Sequence, residues 1–212
     1  MATYNLEEQE KLAELQVWWK QHGTLIVLAV ALGLIMVAAI RGWDAYKQSQ
    51  ASKASVVYAE VLKAVEQNDA RKITDLSNLV REEYPRTAHA SLAAFVAAKF
   101  HVEHDDRKAA HAELQWVIEN GRDAELKAIA RVRLAQVLLD EQAYDEALKL
   151  LEAEHSPAFE AQFAETRGDI YAVQGKSAEA RTAYQAALAG TPITEKPTRE
   201  LLQFKLDGLG ES

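Results

Sequence analysis

Residues 24–40, TLIVLAVALGLIMVAAI, carry no charged side chain, and the uncharged stretch runs from residue 21 to residue 40, between Lys20 and Arg41. An α-helix rises about 1.5 Å per residue, so about 20 residues cross a hydrocarbon layer about 30 Å thick. Trp18 and Trp19 precede the run, and Trp43 and Tyr46 follow it. Aromatic rings at both ends suit the two membrane interfaces, where one edge of the ring is in an apolar medium and the other in water. The pattern predicts one membrane span near the N-terminus and a long polar remainder tethered by it.

A cleaved signal peptide has a shorter apolar region behind a short basic leader. Here the leader has Glu7, Glu8, Glu10 and Glu14 against Lys11 and Lys20, and with no cysteine in the chain a lipid-modified anchor is excluded. A buried core helix seldom runs this long without a polar side chain. An uncleaved anchor is therefore expected. The flanking charges, Lys11 and Lys20 before the span and Arg41, Lys47 and Lys53 after it, do not fix its orientation. Lack of cysteine fits either side of the membrane and rules out a disulfide framework.

Beyond Trp43 the chain is rich in Ala, Leu, Glu, Gln and Lys, which favour helix, and its four prolines are Pro85, Pro157, Pro192 and Pro197. Helices are predicted over 49–67, 71–84, 88–104, 107–120, 124–141, 144–154, 157–174, 178–189 and 198–209, the first of them able to continue the span through Gly42, a weak point. Turn chemistry separates them at Asn68-Asp69, Tyr84-Pro85, Asp105-Asp106, Asn120-Gly121, Gly175 and Gly190, and Ser177 is placed as an N-cap.

The helices pair, and the pairs repeat. In RGDIYAVQGKSAEARTAYQAALAGTP, Gly168, Tyr171, Ala180, Tyr184, Ala187 and Pro192 fall where a tetratricopeptide helix pair needs a small crossing residue, aromatics beside it, an Ala on the second helix and an exit proline. Leu134, Ala135, Leu138, Ala147 and Leu151 form a second copy, with Tyr144 in its turn; Ala97, Ala98, His101, Ala110, Leu114 and Val117 form a weaker third. The pair spanning residues 59–84 is degenerate. The expected fold is all-α: a transmembrane helix, then a tetratricopeptide-like solenoid of about four helix pairs. A C-terminal helix caps it, with Leu201, Leu202, Phe204 and Leu206 covered and Arg199, Lys205 and Asp207 toward water.

Stacked pairs leave a long concave face lined by the first helix of each pair. Its inward positions are Leu92, Phe95, Lys99, Val102, Ile129, Val132, Gln136, Leu139, Glu165, Asp169 and Val173, a mixture suited to peptide ligands. The same apolar members, Phe95, Ile129, Val132 and Leu139, equally suit a core position against the next helix.

The one ligand-like cluster is HVEHDD, with His101, His104, Asp105 and Asp106, plus His111. Its spacing matches no zinc motif, so neither a metal nor another cofactor is expected. GxGxxG, GxxxxGK[ST] and GxSxG are absent, and a net charge of −8 disfavours nucleic acid. Nothing in the sequence favours an enzyme.

The ordered combination of VWWKQHG, the span, RGWDAYKQSQASKASVVYAEVL, TAHASLAAFVAAKFHVEHDDRKAAHAELQWVIE, the RGDIYAVQGKSAEARTAYQAAL repeat and LLQFKLDGL resembles the YfgM family, ancillary subunits of the bacterial SecYEG translocon. The resemblance implies a single-pass protein of the cell inner membrane, with residues 1–23 in the cytoplasm, 24–40 in the membrane and 41–212 in the periplasm. It also implies association with SecYEG and with the chaperone PpiD, and a non-enzymatic part in passing exported, unfolded polypeptides to periplasmic chaperones. A structural assembly factor that holds an inner-membrane complex together without binding clients is the alternative.

Overall fold

The computed structural model describes residues 2–210, with side chains from Glu10 onward. It divides into two compact units, residues up to Ser49 and residues from Gln50 onward. Among the described residues the regular structure is entirely helical. Helix α1 is Ala2–Glu66, with Gly42 inside an unbroken helical stretch. Within it an 18-residue window reaches a mean hydropathy of 2.7, long and apolar enough to cross a membrane, and only 6% of that window is buried. Trp18 and Trp19, and Trp43 and Tyr46, are exposed as well.

From Gln50 onward, the end of α1 is followed by α2 (Ala70–Glu83), α3 (Ala88–Glu103), α4 (Arg107–Asn120), α5 (Ala124–Asp140) and α6 (Tyr144–Leu150). A 3₁₀ turn, Pro157–Phe159, leads into α7 (Glu160–Val173), then α8 (Ser177–Gly190) and α9 (Lys196–Gly208). Helix α6 stops four residues short of its predicted end. Its chain must reach Pro157 in extended form, since Pro disfavours helical geometry in the residue before it, and Ser156 sits at φ −65°, ψ 142°. Ser177 is the first helical residue of α8, not its cap, and the cap position, Lys176, makes no side-chain bond.

Four turns share one backbone solution. Asn68, Asp105, Gln142 and Gly175 have φ of 54°, 60°, 62° and 74°, each just past the first helix of a pair. The next residue donates its N–H back across the turn in every case: Asp69 to Ala64 O (3.0 Å), Asp106 to His101 O (2.8 Å), Ala143 to Leu138 O (2.9 Å) and Lys176 to Tyr171 O (2.9 Å). A left-handed residue closed by this bond satisfies the orphan carbonyls of a helix end. The steps between the four residues are 37, 37 and 33 positions, so the pair that is degenerate in sequence is a full repeat in backbone. Left-handed geometry costs a residue other than Gly, Asn or Asp roughly 1–2 kcal/mol. Gln142→Gly is therefore expected to raise the denaturation midpoint and Gly175→Ala to lower it; equal shifts in the same direction would contradict the assignment.

Three apolar clusters hold the repeats. Ala54, Val61 and Ala64 pack with Ile73, Val80, Ala90, Ala93, Ala97 and Phe100. Leu114, Val117, Leu134, Leu138, Leu151, Phe163 and Ile170 anchor the middle. Ala164, Ala180, Tyr184 and Ala187 meet Leu202 and Leu206 of α9. Helix α9 covers the end of the stack differently from the expectation. Leu202 and Leu206, one turn apart on the same stripe, are buried, but Leu201 and Phe204 are 49% and 75% exposed. Arg199 turns inward to donate to Leu188 O (2.7 Å) and Thr191 O (2.8 Å), the carbonyls at the end of α8, and Lys205 is drawn in by two carboxylates.

Candidate functional site

The first helices of successive pairs touch, α3 with α5 and α5 with α7. Because the step between α3 and α5 is 37 residues, Lys99 is level with Gln136, Val102 with Leu139 and Glu103 with Asp140. Between these two helices lies a depression of about 460 Å³. Ala98, Lys99, Val102 and Glu103 line it from α3, Leu114 from α4, and Arg133, Gln136, Val137 and Asp140 from α5. Ala98 offers only a methyl group to fill the gap, and Leu114 closes it underneath; both are buried. Val102 is 40% exposed at its edge.

The charges here are available. Lys99 reaches Glu103 only at 3.7 Å, with both side chains more than half exposed, a geometry worth ~0–1 kcal/mol. The Arg133 guanidinium lies 5.1 Å above the Phe95 ring, which holds the planar group by its quadrupole.

Of the eleven positions read from the sequence as lining the face, Lys99, Val102 and Gln136 meet in this depression. Phe95 and Val132 are buried core, Ile129 and Leu139 pack against the same core, and Leu92 is half-buried. Glu165 and Asp169 of α7 are held elsewhere: Lys205 Nζ bonds Glu165 Oε1 at 2.7 Å and Asp169 Oδ1 at 2.8 Å, and the Tyr184 hydroxyl donates to Asp169 Oδ1 at 2.8 Å. Burial alone would lower the Lys205 pKa, but its bonds to Asp169 and Glu165 outweigh that and raise it, while burial and the bond to Asp169 push the Tyr184 hydroxyl far up. Val173, at the end of α7, is exposed. The sequence reading missed Glu103, Arg133 and Asp140, although the 37 positions between Ala98 and Ala135 of the two copies align Glu103 with Asp140.

A second depression, about 560 Å³, adjoins α4 and is lined by Arg81, Lys108, His111, Ala112, Gln115, Trp116, Glu119 and Glu141. Its floor is committed to structure. Arg81 pairs with the buried Glu113 at 3.2 Å and lies 5.5 Å from the Trp116 ring.

The histidines do packing work. His101 is buried, its Nε2 3.4 Å from the Thr74 hydroxyl and its Nδ1 3.7 Å from Asp106. His104 donates Nδ1–H to Phe100 O at 2.8 Å and stacks on the Phe100 ring at 4.0 Å. Among the described residues no three His, Cys, Asp or Glu side chains are grouped to hold a metal ion. Burial lowers the His101 pKa below 6.5, Asp106 opposes the shift and His104 adds to it. A histidine depressed in the folded state contributes stability above its unfolded value, lost as pH falls through the folded value. Denaturation midpoints are expected to fall between pH 7.5 and pH 5, and His101→Gln to flatten that slope; an unchanged slope would remove His101 as the cause.

Residues 16–211 match the family described as a tetratricopeptide repeat-like domain. An ancillary SecYEG translocon subunit from Neisseria gonorrhoeae is 34% identical, the match covering 97% of this chain and 98% of that one. The chain belongs to that family. Relatives of the same name from Haemophilus influenzae and Escherichia coli are 28% and 25% identical, covering 97% and 95% of this chain and 99% and 96% of theirs. The matches take in both the apolar helix and all four repeats.

Proposed function

We propose that this chain is a single-pass ancillary subunit of the SecYEG translocon in the cell inner membrane, a non-enzymatic co-chaperone that helps pass exported polypeptides to periplasmic chaperones, PpiD among its partners. Residues 1–23 lie in the cytoplasm, 24–40 span the membrane, and 41–212 hold the repeats in the periplasm. The observation that carries this reading is the match to named translocon subunits across almost the whole of both chains. The exposed aromatic residues on either side of the apolar run support the span. The α3–α5 depression, with polar rims and an apolar floor, supports transient peptide contact rather than catalysis.

The test is photocrosslinking from a probe at Gln136 in intact membranes, with Lys99→Glu as the perturbation. Both side chains are exposed, so the helical signal should survive while crosslinks to nascent exported chains or to PpiD fall severalfold. Unchanged crosslinking would sink the groove. His101→Ala is no neutral control, since His101 is buried. The alternative, an assembly factor for a fixed folded partner, is favoured by one feature: Ile193, Leu201 and Phe204 expose apolar surface at the end of the stack. Crosslinks from Phe204 to a single partner, with none from Gln136, would select it.

A further inference from the structure

We infer that the α3–α5 groove takes a dipolar peptide segment: an extended stretch in which one apolar side chain is flanked, two positions away on either side, by one acidic and one basic residue. This rests on the co-chaperone reading of the same groove and adds the chemistry of what enters it.

The charges along the groove are sorted by sign. Helices α3 and α5 are successive first helices and run the same way, so position along one maps onto the other. Arg133 and Lys99 come before Glu103 and Asp140 along their helices, and Glu103 and Asp140, level with each other, are the last residues of α3 and α5. Lys99 and Glu103 are about 6 Å apart along the axis, and Arg133 and Asp140 about 10 Å, at 1.5 Å per residue. Val102 occupies the interval, with Ala98, Leu114 and Val137 forming the buried floor beneath it. A β-strand advances about 3.3 Å per residue and turns alternate side chains to one side. An acidic, an apolar and a basic residue on alternate positions therefore face the groove together and span about 13 Å, which the reach of the lysine and arginine side chains brings into register. A segment bearing two acids meets Glu103 and Asp140 at one end; a segment bearing two bases meets Lys99 and Arg133 at the other. Chain direction is free, because an acid-first segment and a base-first segment lie in the groove in opposite senses.

Three peptides test this on the full chain in nanodiscs, each with photoreactive benzoyl-phenylalanine as its apolar residue: Glu-Ser-Bpa-Ser-Lys, Glu-Ser-Bpa-Ser-Glu and Lys-Ser-Bpa-Ser-Lys, with capped ends. The mixed peptide is expected to crosslink to Val102 or Val137 roughly threefold to tenfold more than either uniform one at low salt, the range that one or two exposed ion pairs supply, and the advantage should shrink at high salt. Lys99→Glu with Arg133→Glu should shift preference to the doubly basic peptide. Glu103→Lys with Asp140→Lys, which leaves the Arg133–Phe95 contact alone, should shift it to the doubly acidic one. Equal labelling of the groove by all three peptides, or a preference that ignores both charge reversals, overturns the inference and leaves the groove reading standing. Absence of labelling at Val102 and Val137 by any peptide, together with no crosslinks from Gln136 in membranes, overturns both.

Discussion

Gly168→Ala is expected to destabilise the repeat unit even though alanine is the better helix former, and Gly168→Leu to destabilise it further. Gly168 lies in α7, where helix propensity alone favours alanine by ~0.5–1 kcal/mol. A Cβ placed there would stand 2.5 Å from two atoms of the Tyr184 ring. That ring is 3% exposed, and its hydroxyl is tied to Asp169, so it cannot swing aside at small cost. Overpacking of this kind costs ~1–3 kcal/mol or more, which exceeds the propensity gain. For a unit of this size each kcal/mol moves the melting temperature by about 2–4 °C, so Gly168→Leu, at the ~3 kcal/mol upper end of that range, should lower it by roughly 6–12 °C. A melting temperature that rises for Gly168→Ala would mean that α7 and α8 do not cross at Gly168.

That crossing was legible in the sequence for a physical reason: the last repeat solves its closest approach with one glycine against one tyrosine, and that solution leaves few alternatives. The first repeat was illegible for the opposite reason. Its turn is held by Asn68 and by the Asp69 N–H bond to Ala64 O, which need a backbone conformation rather than a motif. Gln142 shows the same blindness, because nothing about glutamine announces a left-handed residue. The groove was half legible. Repeat geometry placed Lys99, Val102 and Gln136 on one face, but it assigned Glu165 and Asp169 to that face without seeing that Lys205, 40 and 36 residues away, would hold them. Long-range ion pairs leave no periodic trace. The same gap explains Arg199 and Lys205 of α9, expected toward water but drawn in by the α8 carbonyls and the α7 carboxylates, while Leu201 and Phe204, expected to be covered, lie off the Leu202–Leu206 stripe and stay exposed.

Arg81→Leu should be the more damaging substitution, and its cost should depend on pH. Arg81 of α2 meets the carboxylate of Glu113 in α4 at 3.2 Å; the two side chains are 14% and 5% exposed, and Ser77 donates to the other carboxylate oxygen at 3.1 Å. Burial raises the Glu113 pKa, and Arg81 and Ser77 pull it back down. A carboxyl group raised in the folded state contributes most below its ordinary value of 4.5 and loses that contribution as pH rises through the folded value. Removing Arg81 takes away the larger of the two opposing effects, so the window moves up toward neutrality. At pH 8 the lone carboxylate must either stay charged in the core or take a proton at a cost, and breaking such a pair costs ~3–5 kcal/mol. At pH 5 Glu113 is protonated more readily, and the deficit against the parent chain should shrink. Arg81→Leu with Glu113→Leu should recover much of the loss, short of the ~1 kcal/mol left by the orphaned Ser77 hydroxyl. Urea midpoints of the four proteins at the two pH values close the cycle. A deficit for Arg81→Leu that is equal at pH 5 and pH 8, with no recovery in the double variant, would show that Arg81 acts through its packing on Trp116 and not through the buried charge.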